Sequence, residues 1–381
     1  MIIHNQTNII AIAILVIIFF SFRKQVRSTY AKNRYFFGLL WFNISILLVE
    51  IINNVFQGAA TDLGQLIYVS SIALYFLLIP LVIITWMLYI NFHIYENDGH
   101  TKKLLLMLSP LFIANLTLIM LSLLGYNFVF TLDSSGHFMR GMYYNSILIM
   151  SYVVLLLSFI YINLHRKYLN KTDLYALILF PIPPMVASMI QFVNPEFTLL
   201  WPSMTVSLII IYINIQSRII NTDPLTGLFN RREFDKQVNY LSNMKNLKKN
   251  ICAIMIDIDD FKLINDAHSH QVGDVALVDL GLILKKSIRK DDFVARIGGD
   301  EFCVILETDD EGVLFSIVDR INENIANYNL RKQNKLPMGL SMGYGVYNPK
   351  YHGSFYEFFE NLDRKMYDEK NIGKQNKNAY V

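Results

Sequence analysis

Carboxylate side chains are concentrated at two places in the second half of this 381-residue chain. Residues 257–260 contain three aspartates at the end of an apolar run, and residues 298–301 read Gly-Gly-Asp-Glu. Carboxylates this close repel one another unless a cation joins them. Mg²⁺ prefers oxygen ligands and completes its shell with waters and substrate phosphates, and glycine lets a backbone approach a phosphate without a Cβ in the way. The residues alone therefore favour a metal-assisted nucleotidyl-transfer site.

Each motif also has a simpler interpretation when it is taken alone. A glycine pair is typical of an ordinary hairpin turn, and aspartates at 257–260 are typical of a solvated strand end or a helix cap. His268 and His270 lie nearby, but with no further Cys or His in range we interpret them as structural residues of a loop.

Hydrophobic patterning from residue 223 onward predicts alternating helices and strands. The glycine pair falls between two short strands, which is the pattern of a β-hairpin. This order predicts one α+β domain with a mostly antiparallel central sheet flanked by helices. Helices are predicted at 231–247, 274–289, 312–328 and 355–370, and strands at 251–258, 293–297, 302–306 and 338–346.

Charge is distributed unevenly along the chain. Residues 1–216 contain 11 Lys/Arg and 7 Asp/Glu, whereas residues 217–381 contain 23 and 24, in a chain that is 53% apolar overall. A first half this poor in charge belongs in a bilayer. This excludes a fully soluble protein and a disordered chain, and with only Cys252 and Cys303 it excludes a secreted disulfide scaffold. The slightly acidic second half gives no electrostatic case for a nucleic-acid partner.

Seven stretches of the first half are long and apolar enough to span a membrane. We therefore expect an all-α seven-helix transmembrane sensory or anchoring domain at 1–216, a short connecting helix at 217–222 and a catalytic domain at 223–381. Prolines at 181, 183 and 184 should bend the sixth span. The predicted spans are 2–22, 35–56, 66–94, 104–124, 143–164, 174–193 and 198–215.

Positive charges in the short loops predict the orientation. Alternate loops carry ten Lys/Arg, and the intervening loops carry only Arg140. The N-terminus is therefore expected outside, with the second half in the cytoplasm. The first helix does not read as a cleavable signal, because its positive charges follow the apolar run. Glu50 is a functional candidate inside a span, although the sequence favours the simpler interpretation that it is solvated near the outer end of its helix.

The second half resembles the GGDEF family of diguanylate cyclases. Residues 298–302 spell Gly-Gly-Asp-Glu-Phe, residues 223–231 resemble the family's opening motif, and residues 257–266 resemble its first-strand motif. Gly273-Asp274, residues 341–343 and residues 363–370 resemble later segments in the same order. The resemblance covers 223 to about 377 and implies a nucleotidyl-cyclase-like GGDEF domain.

The resemblance implies that two GTP are condensed to cyclic di-GMP and two pyrophosphates by a homodimer in the bacterial cytoplasmic membrane, among membrane lipids. Gly298 and Gly299 would belong to the catalytic motif. Two Mg²⁺ or Mn²⁺ ions per active site would be held by Asp257, the Ile258 carbonyl and Asp300. Glu301 would accept a proton or support a metal, and the sequence leaves these two roles open.

The resemblance also assigns substrate contacts. Asn265 and Asp274 would bind the guanine edge, which disfavours the related possibility of an adenine-containing dinucleotide product. The β- and γ-phosphates would be bound by the main-chain N–H groups of Phe261 and Lys262 and by the side chains of Lys370 and Lys374.

Arg289 and Asp292 form an RxxD motif six residues before Gly298. In the family this spacing implies an inhibitory site for the product. Without the family, basic residues near a helix C-terminus would be explained by the helix dipole.

Three positions depart from the family pattern. Ser269 stands where Gly is usual, Lys374 where Arg is usual and Glu369 where Ala is usual. None is a metal carboxylate, so we expect altered affinity rather than loss of activity. Two alternatives to a cyclase are a catalytically silent nucleotide receptor, which intact carboxylates disfavour, and a transporter or receptor whose second half merely dimerises.

Overall fold

The computed structural model describes residues 2–23, 33–133, 136–194, 198–244, 249–331 and 337–378. It divides into two compact units, Met1–Gln216 and Ser217–Val381.

The first unit is a bundle of apolar helices. Among the described residues, seven segments are long and apolar enough to cross a membrane, which confirms the predicted number. The unit therefore has the helices of a multi-pass membrane protein. Its helices are α1 (Ile2–Arg23), α2 (Arg34–Phe56), α3 (Asp62–Tyr95), α4 (Asp98–Leu123), α5 (Tyr144–Leu164), α6 (Lys171–Leu179), α7 (Ile182–Val193) and α8 (Leu200–Asn221), with a single 3₁₀ turn at Arg166–Tyr168.

Proline acts differently in two of the spans. Helix α3 continues through Pro80, whereas the sixth span is broken into α6 and α7 at Phe180 and Pro181. A proline has no N–H and its ring crowds the preceding turn, so the helix ends there. The carbonyl of Phe180 instead accepts a hydrogen bond from Ser207 Oγ of α8 at 2.5 Å. Phe180 and Pro181 keep right-handed helical dihedral angles, so 171–191 remains one span whose helical hydrogen bonds are interrupted where the bend was predicted.

A small β-hairpin in the first unit was missed by the sequence prediction. It consists of β1 (Phe130–Leu132) and β2 (Phe138–Arg140). Phe76 of α3 stacks on Phe130 and on Phe138, with ring centroids 6.2 and 6.3 Å apart. Three-residue strands are too short to give a readable alternation.

The second unit is built on a four-stranded sheet of order β4-β5-β3-β6 in which every pair is antiparallel. This confirms the α+β prediction and the predicted hairpin. The elements are α9 (Arg231–Ser242), β3 (Asn250–Ile258), α10 (Phe261–His268), α11 (His270–Ser287), β4 (Phe293–Arg296), β5 (Glu301–Thr308), α12 (Gly312–Arg331), β6 (Leu340–Val346) and α13 (Phe355–Asn378).

The central strand β3 separates two hydrophobic cores. Ile254 and Ile256 pack on one face with residues of α11 and α12, and Ala253 and Met255 pack on the other with residues of α9 and α13. Because strand side chains alternate between faces, Asp257 belongs to the α9 and α13 face. The end of that face, where the apolar residues stop, is the position of the first acidic motif.

Other parts of the chain form hydrogen bonds with both edge strands of this sheet. Phe229 pairs with β4, donating its N–H to Val294 O at 3.2 Å. At the opposite edge, the Met342 N–H of β6 donates to Glu369 Oε2 of α13 at 2.5 Å. A Cβ at Gly343 would overlap the backbone of α13, so glycine is required for the close approach of this helix.

Candidate active site

The two acidic motifs meet at one end of the sheet. Asp257 and Glu301 are directly opposite each other in the β3–β5 register, so their side chains lie on the same face. The carbonyl of Asp300 accepts a hydrogen bond from the Ile258 N–H at 3.4 Å. In an extended strand the N–H and C=O of one residue point to the same side, so the Ile258 carbonyl also faces Asp300.

Lys370 of α13 reaches into this group. Its Nζ lies 2.5 Å from Asp257 Oδ1, and the two side chains are 22% and 8% exposed. The contact joins residues 113 positions apart in the sequence. It provides the one ammonium group that contacts Asp257 among the described residues.

The single positive charge of this lysine does not balance the negative charge of the carboxylates. Burial raises the pKa of Asp257, and the charge of Asp300 adds to the effect against the opposing bond from Lys370. Burial also raises the pKa of Glu301, together with the charges of Asp363 and Asp257. The pKa of Lys370 is raised, because its bond to Asp257 outweighs the desolvation that lowers it. The site therefore has excess negative charge.

A divalent cation fits this donor set. Within the described residues no three His, Cys, Asp or Glu side chains are grouped closely enough to hold an ion by themselves. Two carboxylates and the Ile258 carbonyl leave coordination positions for waters and phosphate oxygens, which is the usual environment of Mg²⁺. The mutual repulsion of Asp257 and Asp300 is the interaction that such an ion would relieve.

The two glycines of the turn have different surroundings. A Cβ at Gly298 would overlap the carboxylate of Glu301, whereas a Cβ at Gly299 would meet nothing within 4 Å. Neither glycine has the positive φ that a two-residue hairpin turn requires. The backbone dihedral angles of the turn therefore do not by themselves require glycine at these two positions. Gly298 makes room for Glu301, and Gly299 leaves open space beside it.

An arginine that sequence reasoning missed holds this turn. Arg296 donates from Nε and Nη2 to the Gly299 carbonyl at 3.1 and 2.7 Å, and from Nη1 to Asp223 Oδ1 and Oδ2 at 3.1 and 3.2 Å. Asp223 also accepts hydrogen bonds from the N–H and hydroxyl of Thr226. Burial opposes ionisation of Asp223, but these bonds outweigh it and hold its pKa below the usual value.

The chain turns sharply from β3 into α10. Asp260 adopts a left-handed conformation, with φ 54°, and α10 begins at the next residue. The N–H groups of Phe261 and Lys262 therefore lie in the first turn of α10, where no intrahelical acceptor exists. Such a terminus attracts anions. The carboxylate of Asp259 accepts a hydrogen bond from Ser341 Oγ at 2.6 Å, so it already has a partner in β6.

The predicted guanine-binding residues are brought together by the junction of α10 and α11. A Cβ at Gly273 would overlap the side-chain amide of Asn265, so Asn265 lies against the start of α11. Asp274 is the next residue and is exposed. Ser269 joins the two helices with φ 113°, a backbone conformation that suits glycine.

The remaining predicted residues lie in two places. Lys374 is in α13, but its side chain lies outside the described residues. Arg289 and Asp292 lie after the end of α11, and the Arg289 N–H donates to Asp292 Oδ2 at 2.7 Å. Burial raises the pKa of Asp292, while this bond and the charge of Arg320, a residue missed from sequence, act against it.

A cavity of about 460 Å³ lies at the β6 edge and contains none of the predicted site residues. It is lined by residues of β6 and α13, including Gly345, Arg364 and Lys365, with Tyr351 and His352 from the connecting loop. The carboxylate group is therefore not part of this cavity.

Residues 220–376 match the family model described as "Diguanylate cyclase, GGDEF domain". The second unit is a GGDEF domain, and the match does not extend to the helical unit. The chain spans only 25–44% of the length of the curated relatives it matches.

Two of these relatives and one solved structure illustrate the similarity. The probable diguanylate cyclase DgcJ of Escherichia coli is 32% identical over 170 residues, 44% of this chain and 32% of that protein. The uncharacterized membrane protein SH2145 of Staphylococcus haemolyticus is 30% identical over 155 residues, 40% of this chain and 44% of that protein. The crystal structure of the GGDEF domain of DgcB from Caulobacter crescentus with c-di-GMP is 28% identical and covers 40% of this chain and 91% of that chain, with a TM-score of 0.37.

Proposed function

We propose that this chain is a membrane-bound diguanylate cyclase that condenses two GTP into cyclic di-GMP and two pyrophosphates. The observation that carries the proposal is the placement of Asp257 opposite Glu301, with Asp300 beside them and the first residue of α10 three residues beyond Ile258. This end of the sheet combines metal-type oxygen ligands with an anion-binding helix terminus. The names of the relatives, which include probable diguanylate cyclases, support the same activity.

The reaction requires a ribose 3′-hydroxyl to attack the α-phosphate of a second GTP. Two Mg²⁺ or Mn²⁺ ions, held by Asp257, the Ile258 carbonyl and Asp300, would lower the hydroxyl pKa and neutralise developing charge. Glu301 has a raised pKa, which suits a group that accepts the hydroxyl proton. Gly298 keeps the Glu301 carboxylate folded over the turn, and Gly299 leaves its backbone accessible to a phosphate.

The phosphates would be bound at the start of α10. The N–H groups of Phe261 and Lys262 point out of the helix terminus, and Lys370 and Lys374 of α13 would add positive charge. Lys370 contacts Asp257 directly, so it occupies the position of positive charge that a metal would take. We infer that nucleotide with metal releases Lys370 from Asp257 and lets its ammonium group contact the phosphates.

Guanine selection would rest on Asn265 and Asp274. An exposed Asp carboxylate accepts hydrogen bonds from the ring N–H and amino group of guanine, and adenine cannot supply both. The side-chain amide of Asn265 packs against Gly273. Asp274 is the next residue in the chain, so the two predicted guanine ligands lie at the same end of α11.

Each domain would bind one GTP, so catalysis requires a homodimer that brings two such sites face to face. We place the domain in the cytoplasm and the N-terminus outside, because ten of the eleven Lys/Arg of residues 1–216 occupy alternate loops. The product would bind at Arg289 and Asp292, where an exposed guanidinium is available for phosphate and for stacking on guanine. Arg320 lies near enough for its charge to act on Asp292.

The test compares full-length protein in lipid vesicles with its Asp300→Ala variant, supplied with GTP and Mg²⁺. Products are identified by mass spectrometry. We expect cyclic di-GMP from the parent and none from Asp300→Ala, while the matched variant Asp309→Ala, a carboxylate at the far end of β5 that is 78% exposed, keeps full activity. Turnover by Asp300→Ala would remove that carboxylate from the mechanism. GTP binding by a dimeric parent without product would support a nucleotide receptor instead.

A further inference from the structure

Glu50 of α2 lies at the meeting point of four helices in the first unit. Asn8 of α1 donates from Nδ2 to Glu50 Oε2 at 3.1 Å. The Glu50 charge acts on the hydroxyl of Tyr75 in α3, and that hydroxyl accepts a hydrogen bond from Trp201 Nε1 of α8 at 2.8 Å. We call these four side chains the Glu50 cluster. The cluster connects the partly buried carboxylate to the helix that carries the chain into the second unit.

The helices around Glu50 provide no permanent positive charge to balance it, although His4 and His93 lie on two of them. Residues 2–22, 35–101 and 198–217 contain no Lys or Arg. No described residue forms an ion pair with Glu50. A carboxylate among apolar helices is stable only when it is neutral or when a cation pairs with it. The positive charge must therefore come from a proton or from a bound ligand.

The amide of Asn8 distinguishes between these two possibilities. Its side chain is fully buried, and its Oδ1 has no hydrogen-bond partner in the described part of the chain. Turning the amide over would let a protonated Glu50 donate to Oδ1, but Nδ2 would then lose its acceptor. A proton on Glu50 therefore leaves one amide atom of Asn8 unpaired in either orientation, at a cost of about 1–3 kcal/mol.

Comparison with two other buried amides shows that only Asn8 combines an unpaired oxygen with a neighbouring carboxylate. Asn43 and Asn115 also have an Oδ1 without a partner, but their Nδ2 groups donate to the Thr205 hydroxyl and to the Phe76 carbonyl. At Asn8 alone among these three, the amide that carries the unpaired oxygen is bonded through its nitrogen to a carboxylate. The carboxylate oxygens of Glu50 and the unpaired amide oxygen of Asn8 are the kinds of oxygen that bind a cation.

We propose that the Glu50 cluster is a binding site for a small monovalent cation, with the Glu50 carboxylate and Asn8 Oδ1 as ligands. The charge of one carboxylate matches one positive charge, and no second carboxylate contacts Glu50 among the described residues to favour a divalent ion. Na⁺ and a primary ammonium group share this chemistry. Binding draws α1 and α2 together and, through Tyr75, acts on Trp201 at the start of α8.

The test measures binding on the full-length protein in detergent, without reference to activity. Melting temperature is followed by tryptophan fluorescence at fixed pH and ionic strength, while Na⁺, K⁺ or methylammonium replaces a bulky organic cation. We expect a saturable rise in melting temperature with one of these ions in the parent and in the matched control Glu96→Gln, which removes an exposed carboxylate after α3. Glu50→Gln should abolish the rise, and Asn8→Ala, which keeps the carboxylate, should weaken the apparent affinity at least tenfold.

Two outcomes would overturn the proposal. An equal rise in Glu50→Gln would place the ion elsewhere, and no rise with any ion, with stabilisation only on acidification, would show that Glu50 takes a proton. A response to Na⁺ but not methylammonium identifies a metal-ion site, and the reverse identifies an amine site.

Repeating the ion titration with GTP present tests whether the bound ion changes the rate of catalysis. This readout rests on the proposed cyclase activity. We expect the ion to change the rate of cyclic di-GMP formation at least threefold in the parent and not in Glu50→Gln. An ion-dependent melting temperature with no product at any ion concentration would leave the site standing and refute the cyclase. Product formation with no ion effect on melting would refute the site and leave the cyclase standing.

Discussion

Arg296 binds the Asp223 carboxylate with one side of its guanidinium and the Gly299 carbonyl with the other. Asp223 lies two residues after the end of α8, and Gly299 lies in the turn that carries Asp300. One side chain therefore fixes the turn relative to the first residues of the domain. The side chains of Arg296 and Asp223 are 14% and 17% exposed, so the pair is largely shielded from solvent.

We expect Arg296→Ala to lower the free energy of unfolding of the second unit by about 2–3 kcal/mol, because it leaves Asp223 without its charged donor. The turnover of GTP should fall at least tenfold, since the turn loses its anchor. The stability is measured by denaturant unfolding and the turnover by product formation. Arg232→Ala, at an exposed position of α9, should leave both unchanged. An Arg296→Ala variant with normal turnover would show that the turn holds its shape unaided.

The same pair predicts a dependence on acid. The pKa of Asp223 is lower in the folded domain than its ordinary value near 4. Its contribution to stability is therefore complete above that ordinary value and is lost as the pH falls through the folded pKa. We expect Asp223→Asn to be less stable than the parent at neutral pH, with the difference shrinking below about pH 4. A constant difference down to pH 2 would contradict this.

We expect Glu301→Gln to stabilise the domain when no metal is present, although it removes activity. The pKa of Glu301 is raised by burial and by neighbouring carboxylates, so its ionised form opposes folding above that pKa. Because the site is partly open to solvent, the gain should stay below about 1 kcal/mol. Unfolding of parent and variant is compared at pH 7 with and without Mg²⁺. The advantage of the variant should disappear or reverse with Mg²⁺, and an advantage that persists would argue against metal binding here.

Ser269→Gly should stabilise the junction of α10 and α11. Ser269 has φ 113°, where a Cβ is strained, and relief of such strain is worth about 1 kcal/mol or more. The same substitution at Ser316, an exposed position inside α12, should destabilise by about 0.5–1 kcal/mol. Opposite signs in the two denaturation midpoints are the expected result. Because the junction positions Asn265 and Asp274, the KM for GTP should fall or stay equal in Ser269→Gly, and a rise would contradict this account.

We expect Arg289→Ala to relieve product inhibition while leaving the fold intact. The bond that closes this turn comes from the main-chain N–H of Arg289 to Asp292, so removing the Arg289 side chain keeps it. The initial rate is measured against added cyclic di-GMP, and the inhibition constant should rise at least tenfold. Lys286→Ala, an exposed position in the last turn of α11, serves as the control. An unchanged inhibition curve would favour the helix-dipole interpretation of these basic residues.

The sequence predicted the elements whose patterns are long and the motifs whose order is distinctive. The apolar run at 251–258 is β3 almost to the residue, because a strand buried on both faces has no room for polar residues. Helix α9 ends at Ser242, five residues before the predicted end, and residues 245–248 lie outside the described part of the chain. Helix α10 was not predicted, because it begins only after Asp260 turns the chain through a left-handed conformation.

Side-chain contacts between residues far apart in the chain could not be predicted from the sequence. Arg296 reaches Asp223 across 73 positions, and Lys370 reaches Asp257 across 113. A local pattern contains no information on either partner. The family motif predicts that Lys370 binds phosphate, but its bond to Asp257 depends on how α13 packs on β3 and β6. In the first unit, the Asn8–Glu50 bond joins two helices whose facing surfaces are equally apolar in sequence.

The carboxylate of Glu369 has a consequence for how copies of this protein behave when crowded in one membrane. An open strand edge recruits strands from neighbouring molecules and begins aggregation. At the β6 edge, Glu369 occupies the Met342 N–H that an incoming strand would use, and its negative charge repels a second copy of itself. Membrane confinement would otherwise favour edge-to-edge association of the domains. Occupying this donor removes one pairing position from the edge and so favours separation of the domains after each encounter.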